Sequence, residues 1–152
     1  MLLIVDRFGG LDFDRLAEIY GFKGREAVKF YEYLSSCFFR QKGAVYCLWL
    51  VDGQYCSALR LEPYKDGLLL TGLETAPHWR RRGYAQSLMG AALGWAEGMG
   101  HRKIYSHIRF DNRASLAVHQ RLGFRKMLNH AVLLDGTVSS KIGTYLYTGT
   151  SV

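Results

Sequence analysis

An apolar run over residues 68–75 passes through Ala76 and Pro77 into a basic turn, His78-Trp79-Arg80-Arg81-Arg82-Gly83-Tyr84-Ala85, and then directly into a helical repeat. No other stretch constrains the fold as strongly. A strand that feeds a helix through a tight turn belongs to an α/β architecture. The turn is also a grip for a pyrophosphate: Gly83 and Ala85 let the backbone approach a ligand, successive amides point at an anion, and the positive end of the helix dipole adds to the pull.

Alone, Arg80-x-x-Gly83-x-Ala85 is weak, because with Gly near 7% of residues a chance match has a probability on the order of one in ten. A second motif follows about thirty residues on, Asn112-Arg-Ala-Ser115-Leu-Ala-Val-His119-Gln-Arg-Leu-Gly123-Phe124. The pair carries the weight.

At 152 residues and 49% hydrophobic content, residues 1–152 read as one domain with one substantial core. The start, Met1-Leu-Leu-Ile-Val5-Asp6-Arg7, reads as a strand and not as a secretory signal. No apolar run approaches the ~18 residues needed to cross a bilayer, so no membrane partner is expected. Cys37, Cys47 and Cys56 are odd in number and lack C-x-x-C spacing. That points to reduced, packed thiols in a cytoplasmic protein and away from a disulfide framework or a metal site.

The net charge of +7 is uneven: residues 1–79 carry nine Lys/Arg against ten Asp/Glu, and residues 80–126 carry ten against two. The positive excess lies in the half that holds both motifs, as a polyanionic ligand would require. Nucleic acid is not expected, because that half has no aromatic-interleaved basic strand and no reader motif.

Residues 11–20 and 25–34 carry apolar positions at three- and four-residue spacing and read as helices. Residues 45–51 and 55–61 flank Asp52-Gly53, a strong hairpin signal. Residues 63–67 read as the next turn, and 68–75 as the next strand. The helix after the basic turn spans about 82–99, with Tyr84, Leu88, Ala91, Trp95 and Met99 as its apolar stripe. Gly90, Gly94 and Gly98 recur along it, each costing about 1 kcal/mol relative to Ala, which predicts close helix–sheet contact on that face. Residues 104–109 read as a strand, Asn112 as an N-cap, and 113–122 as a short helix ended by Gly123. Phe124 then starts a strand, and 141–147 is the last strand, reached through a loop around Asp135-Gly136.

These residues resemble the GNAT-type acyl-CoA N-acyltransferase superfamily over about residues 67–127. Arg80-x-x-Gly83-x-Ala85 matches the family's coenzyme A pyrophosphate block, and Asn112-x-x-Ser115-Leu116-x-Val118-His119, followed by Gly123-Phe124, matches its second block. The resemblance implies a central mixed, mostly antiparallel sheet flanked by helices, with splayed fourth and fifth strands. It implies acetyl-CoA as cosubstrate, no metal, and transfer to a primary amine of a small molecule or peptide by direct attack. It leaves room for a homodimer.

Carried over by position, the amides of Arg81, Arg82, Gly83, Tyr84, Ala85 and Gln86 would cradle the pyrophosphate, with charge from the guanidinium groups of Arg80 to Arg82. The backbone of Leu73 to Thr75 would pair with the pantetheine arm, and Asn112 would hold that arm near its acyl end. Glu74 resembles the family's frequent general base. His119 stands where the family often places a tyrosine acid, and would donate a proton only if charged beforehand. Tyr20, Phe22, Tyr31, Phe38, Phe39 and Tyr147 are candidate walls of the acceptor site. A catalytically silent acyl-CoA-binding sensor is the alternative function that keeps the cradle without the chemistry.

Overall fold

The computed structural model describes residues 1–149. In chain order its strands are β1 (Leu2–Val5), β2 (Val45–Val51), β3 (Gln54–Tyr64), β4 (Gly67–Thr75), β5 (Ile104–Arg109), β6 (Arg125–Leu128), β7 (Ala131–Val132), β8 (Val138–Ser139) and β9 (Ile142–Tyr147). The α-helices are α1 (Phe13–Tyr20), α2 (Arg25–Ser36), α3 (Tyr84–Gly98) and α4 (Arg113–Arg121). Seven strands form one sheet in the order β1-β2-β3-β4-β5-β9-β6, while β7 and β8 make a separate hairpin. All neighbours in the large sheet are antiparallel except β4 and β5, which are parallel. The expected mixed, mostly antiparallel sheet flanked by helices is therefore what the chain forms.

Side chains alternate across the sheet with the two-residue strand period. Val45, Cys47, Leu59 and Leu61 face α3, whereas Tyr46, Leu48 and Ala58 face α1 and α2. Helix α1 starts at Asp12, whose carboxylate accepts from the Arg15 amide at 3.3 Å, and it stops at Gly21 in the left-handed conformation, φ 70°. Such a cap stabilises by about 1 kcal/mol. Between cap and stop, Leu16 and Ile19 are buried against the sheet, and burying each contributes roughly 1.5–3 kcal/mol.

The structure differs from the sequence expectation in four places. Pro63 lies inside β3, opposite Leu68, and not in a turn. It lies beyond Leu61, the last β3 residue paired with β2, so the N–H it lacks is not needed there. In α3 the buried line is Leu88, Met89, Ala92, Leu93 and Ala96, rotated from the expected stripe, and Met99 is exposed. A helix this rich in Ala and Gly offers two adjacent apolar lines, and docking on the sheet chooses between them. The expected close contact along Gly90, Gly94 and Gly98 is absent: these residues face solvent, and an added Cβ would meet only Leu122, 3.8 Å from Gly90. Finally, Cys47 and Cys56 are buried as expected, but Cys37 is exposed.

Candidate active site

The sheet opens where β4 and β5 part. Their pairing covers only Leu68, Leu69 and Leu70 of β4 against Ile104, Tyr105 and Ser106 of β5. From Thr71 onward β4 leaves β5 but stays bound to β3, so one edge of residues 71–75 has no strand partner. A bulge drives the divergence: Ala58 opposes Glu74 and Arg60 opposes Thr71, leaving Gly72 and Leu73 against Leu59 alone. Gly72 takes φ 63°, a left-handed conformation that favours glycine. The end of β4 is anchored on its β3 side by the Ser57 hydroxyl, which donates to the Glu74 carbonyl at 2.9 Å, and by the Ala76 amide, which donates to the Cys56 carbonyl at 2.9 Å.

A cleft of about 570 Å³ fills the opening. From the first motif it is lined by Leu73, Glu74, Thr75, Arg80, Arg81, Gly83, Tyr84, Ala85 and Gln86, and from the second by Asn112. The two sequence blocks thus meet in space. Arg81 and Gly83 both adopt positive φ, 62° and 79°, which turns the chain sharply into α3. The first bond of α3 runs from the Ser87 amide to the Gly83 carbonyl at 3.0 Å, so the amides of Tyr84, Ala85 and Gln86 have no intrahelical acceptor. No acidic residue occupies that first turn. A Cβ on Gly83 would meet nothing within 4 Å. A diphosphate therefore has both an electropositive floor and clearance, and the residues present fit coenzyme A.

Two predicted residues stand off the cleft. The Arg82 guanidinium sits over the Trp79 ring at 5.3 Å and is absent from the lining. His119 is only 1% exposed. Its Nε2 lies 3.0 Å from the Ser106 hydroxyl and its Nδ1 lies 2.7 Å from the Ser115 carbonyl. A carbonyl can only accept, so Nδ1 carries the proton, and Nε2 then accepts from Ser106. Burial pushes the His119 pKa below its ordinary value, against a smaller upward pull from the Ser115 carbonyl. Burial thus favours the neutral imidazole over the charged donor that the sequence reading required.

Arg80 and Asn112 line the cleft but also hold structure together. Arg80 Nε donates to the Thr75 carbonyl at 3.0 Å, and its terminal nitrogen donates to Glu74 Oε1 at 3.3 Å. The Asn112 side chain caps α4, accepting from the Ser115 amide at 3.1 Å. Sequence reasoning missed Trp79 and, on α4, Ala114, Ser115, Val118 and Arg121 as lining residues. The signal for the α4 residues was present in the spacing of Ala114, Val118 and Arg121, four and then three residues apart, which places them along one face of α4 with Ser115 beside it.

Behind β4 lies a second pocket of about 350 Å³, walled by Tyr20, Phe22, Phe30 and Tyr33 and closed by Arg60, Gly72, Leu73 and Glu74. Leu73 and Glu74 line both cavities. These two residues are thus shared by both cavities. The Tyr20 hydroxyl fixes the pocket wall, donating to the Gly72 carbonyl at 2.5 Å and lying 2.6 Å from the Tyr46 hydroxyl. Of the other expected wall residues, Phe38 is fully buried core. Tyr31 lines a separate surface groove, Phe39 packs on the aromatic core, and the Tyr147 hydroxyl donates to Glu97 on the α3 side of the sheet. Aromatic residues at helical spacing here serve the core more often than the pocket.

Comparison with known proteins agrees with this geometry. The acetyltransferase (GNAT) family matches residues 13–124. An aminoglycoside N(6′)-acetyltransferase type 1 of Acinetobacter genomosp. 13 is 39% identical over 57 residues, covering 38% of this chain and 39% of that protein. The match thus spans about two fifths of the relative's length. Among solved structures, the ribosomal-protein-S18-alanine N-acetyltransferase from Escherichia coli superposes with a TM-score of 0.70 at 16% identity, covering 100% of this chain and 97% of that one. The PaiA N-acetyltransferase from Thermoplasma acidophilum, in complex with coenzyme A, has a TM-score of 0.70 at 11% identity, covering 98% and 99%. These two likenesses concern the fold. From the family match, and from two signature blocks meeting at one splayed cleft, the chain belongs to the acetyltransferase (GNAT) family.

Proposed function

We propose that this chain is an acetyl-CoA-dependent N-acetyltransferase that acylates a primary amine by direct attack. The observation that carries the reading is the position of Glu74, which lines both the cleft and the aromatic pocket. When bound, acetyl-CoA supplies an activated acyl group as a thioester. The amides of Tyr84, Ala85 and Gln86 and the dipole of α3 hold the pyrophosphate. The unpaired edge of Leu73 to Thr75 pairs with the pantetheine arm as an added strand would.

Glu74 takes the proton of the incoming amine at a carboxylate oxygen, directly or through one water, so that the nitrogen lone pair is free. Arg80, bonded to Glu74 Oε1, fixes the carboxylate. His119 is assigned a positioning part in place of the acid role: neutral and bonded to the Ser115 carbonyl, it braces the α4 wall of the cleft. The proton needed at sulfur is drawn from water, since a thiol of pKa ~8.5 is a good leaving group without a buried acid.

The test is thiol release from acetyl-CoA across a panel of amines. Release dependent on protein and amine together is expected, and Glu74→Gln should suppress it. Tight coenzyme A binding with no release above background for any amine would instead establish the silent acyl-CoA sensor.

A further inference from the structure

Arg60 stands in mid-strand on β3 and closes the pocket behind β4. Its guanidinium carbon lies 5.7 to 6.0 Å from the ring centroids of Phe30, Tyr33, Phe38 and Tyr46. Nε donates to the Thr71 hydroxyl at 3.3 Å, and a terminal nitrogen donates to the Tyr46 hydroxyl at 3.1 Å. Both acceptors are neutral hydroxyls, and they use two of five N–H groups. Among the described residues, no carboxylate comes within ion-pair distance of it. Glu62, two residues along the strand, is buried but bonded instead to Gln41 Nε2 at 3.2 Å. A guanidinium held among rings is costly unless it is paired.

The planar face of the Arg60 guanidinium lies against the bulge at Gly72. The other terminal nitrogen lies 3.0 Å from where a Gly72 Cβ would stand, and the guanidinium carbon lies 2.9 Å from it. Gly72, lacking that atom, leaves the guanidinium its room beside the pocket. The cavity then has a cation at Arg60, a carboxylate at Glu74, and aromatic walls at Tyr20, Phe22, Phe30 and Tyr33.

We infer that the acceptor is an amino carboxylate, its anion paired with Arg60 while its amine faces Glu74 and its apolar part lies against the aromatic walls. The inference rests on the proposed N-acetyltransferase reading and narrows the acceptor class. An amino acid or a short peptide carries both charges in that order. A polyamine or an aminoglycoside, cationic throughout, would set like charge against Arg60.

The test separates binding from turnover. Titration calorimetry compares phenylacetate with phenylacetamide on the wild-type chain, since the two differ only in the anion. The carboxylate should bind at least about tenfold more tightly. The preference should fall sharply in Arg60→Gln and be partly kept in Arg60→Lys, with coenzyme A affinity as the check that each variant folds. Equal wild-type affinities for acid and amide overturn the inference without any variant.

Thiol release is then measured with phenylalanine and 4-aminobutyrate against their amides, and with spermidine. Preference for the carboxylates supports the inference. Turnover with spermidine alone overturns it and leaves the N-acetyltransferase reading standing. Carboxylate binding with no turnover of any amine overturns the N-acetyltransferase reading and leaves Arg60 as an anion site.

Discussion

Replacing Gly83 by tryptophan separates the stability of the turn from its use as a cradle. Gly83 holds φ 79°, and an added Cβ meets no protein atom within 4 Å. The cost to folding is therefore the left-handed backbone alone, about 1–2 kcal/mol, or a fall in Tm of roughly 2–8 °C for a domain of this size. The cost to binding is larger. A charged hydrogen bond contributes about 1.5–3 kcal/mol, so an indole that keeps a phosphate from only two amides forfeits about 3–6 kcal/mol. That predicts at least about a hundredfold rise in the Kd for coenzyme A. Calorimetry reads the Kd and thermal unfolding reads the fold, with Gly83→Ala as the milder companion. A folded Gly83→Trp protein that binds coenzyme A as the wild type does would refute the cradle.

Three further outcomes follow from the same packing and site geometry. Glu74→Gln should lower kcat/KM by roughly 10²-fold or more with coenzyme A affinity intact; wild-type rates would remove Glu74 as the base. Gly67→Ala should strongly destabilise the chain, because its Cβ would collide with the backbone carbonyl of Lys103. A loss of about 3 kcal/mol or more is expected, or at least 6–12 °C in Tm, and a stable variant would contradict the packing of β4 against residue 103. Burial lowers the pKa of both His119 and His107, so each binds its proton more readily in the unfolded chain. Stability from these groups is present above about pH 6.5 and is lost as pH falls through their lower folded values. His119→Gln should flatten the acid side of a Tm-against-pH curve, with His107 supplying the slope that remains; an unaltered slope would mean that His119 is not held neutral.

The sequence made the sheet and the basic turn before α3 legible because both rest on local rules. Asp52-Gly53 marks its hairpin, Asn112 caps α4 through the Ser115 amide, and the Arg80-x-x-Gly83-x-Ala85 turn does sit between a strand and a helix. What stayed hidden depends on partners distant in sequence. The Gly72 bulge exists only as a mismatch of register between β3 and β4, and nothing local to Thr71-Gly72-Leu73 announces it. The burial of His119 follows from Ser106, which the fold brings over from β5. The rotation of α3 reflects a choice between two apolar lines that periodicity ranks alike. Arg60 sits in a strand pattern as one polar residue among apolar ones, and its cage comes from α2 and β2.

The central claim is that the two cavities meeting at Glu74 bring a thioester and an amine together for direct transfer. Mass spectrometry of product and protein in the same reaction, with thiol release counted in parallel, tests it most directly. The account predicts one N-acetylated amine for each thiol released, with no acetyl group on the protein at any time. Coenzyme A binding without amine-dependent release, or an acetylated protein that forms before product, would contradict it.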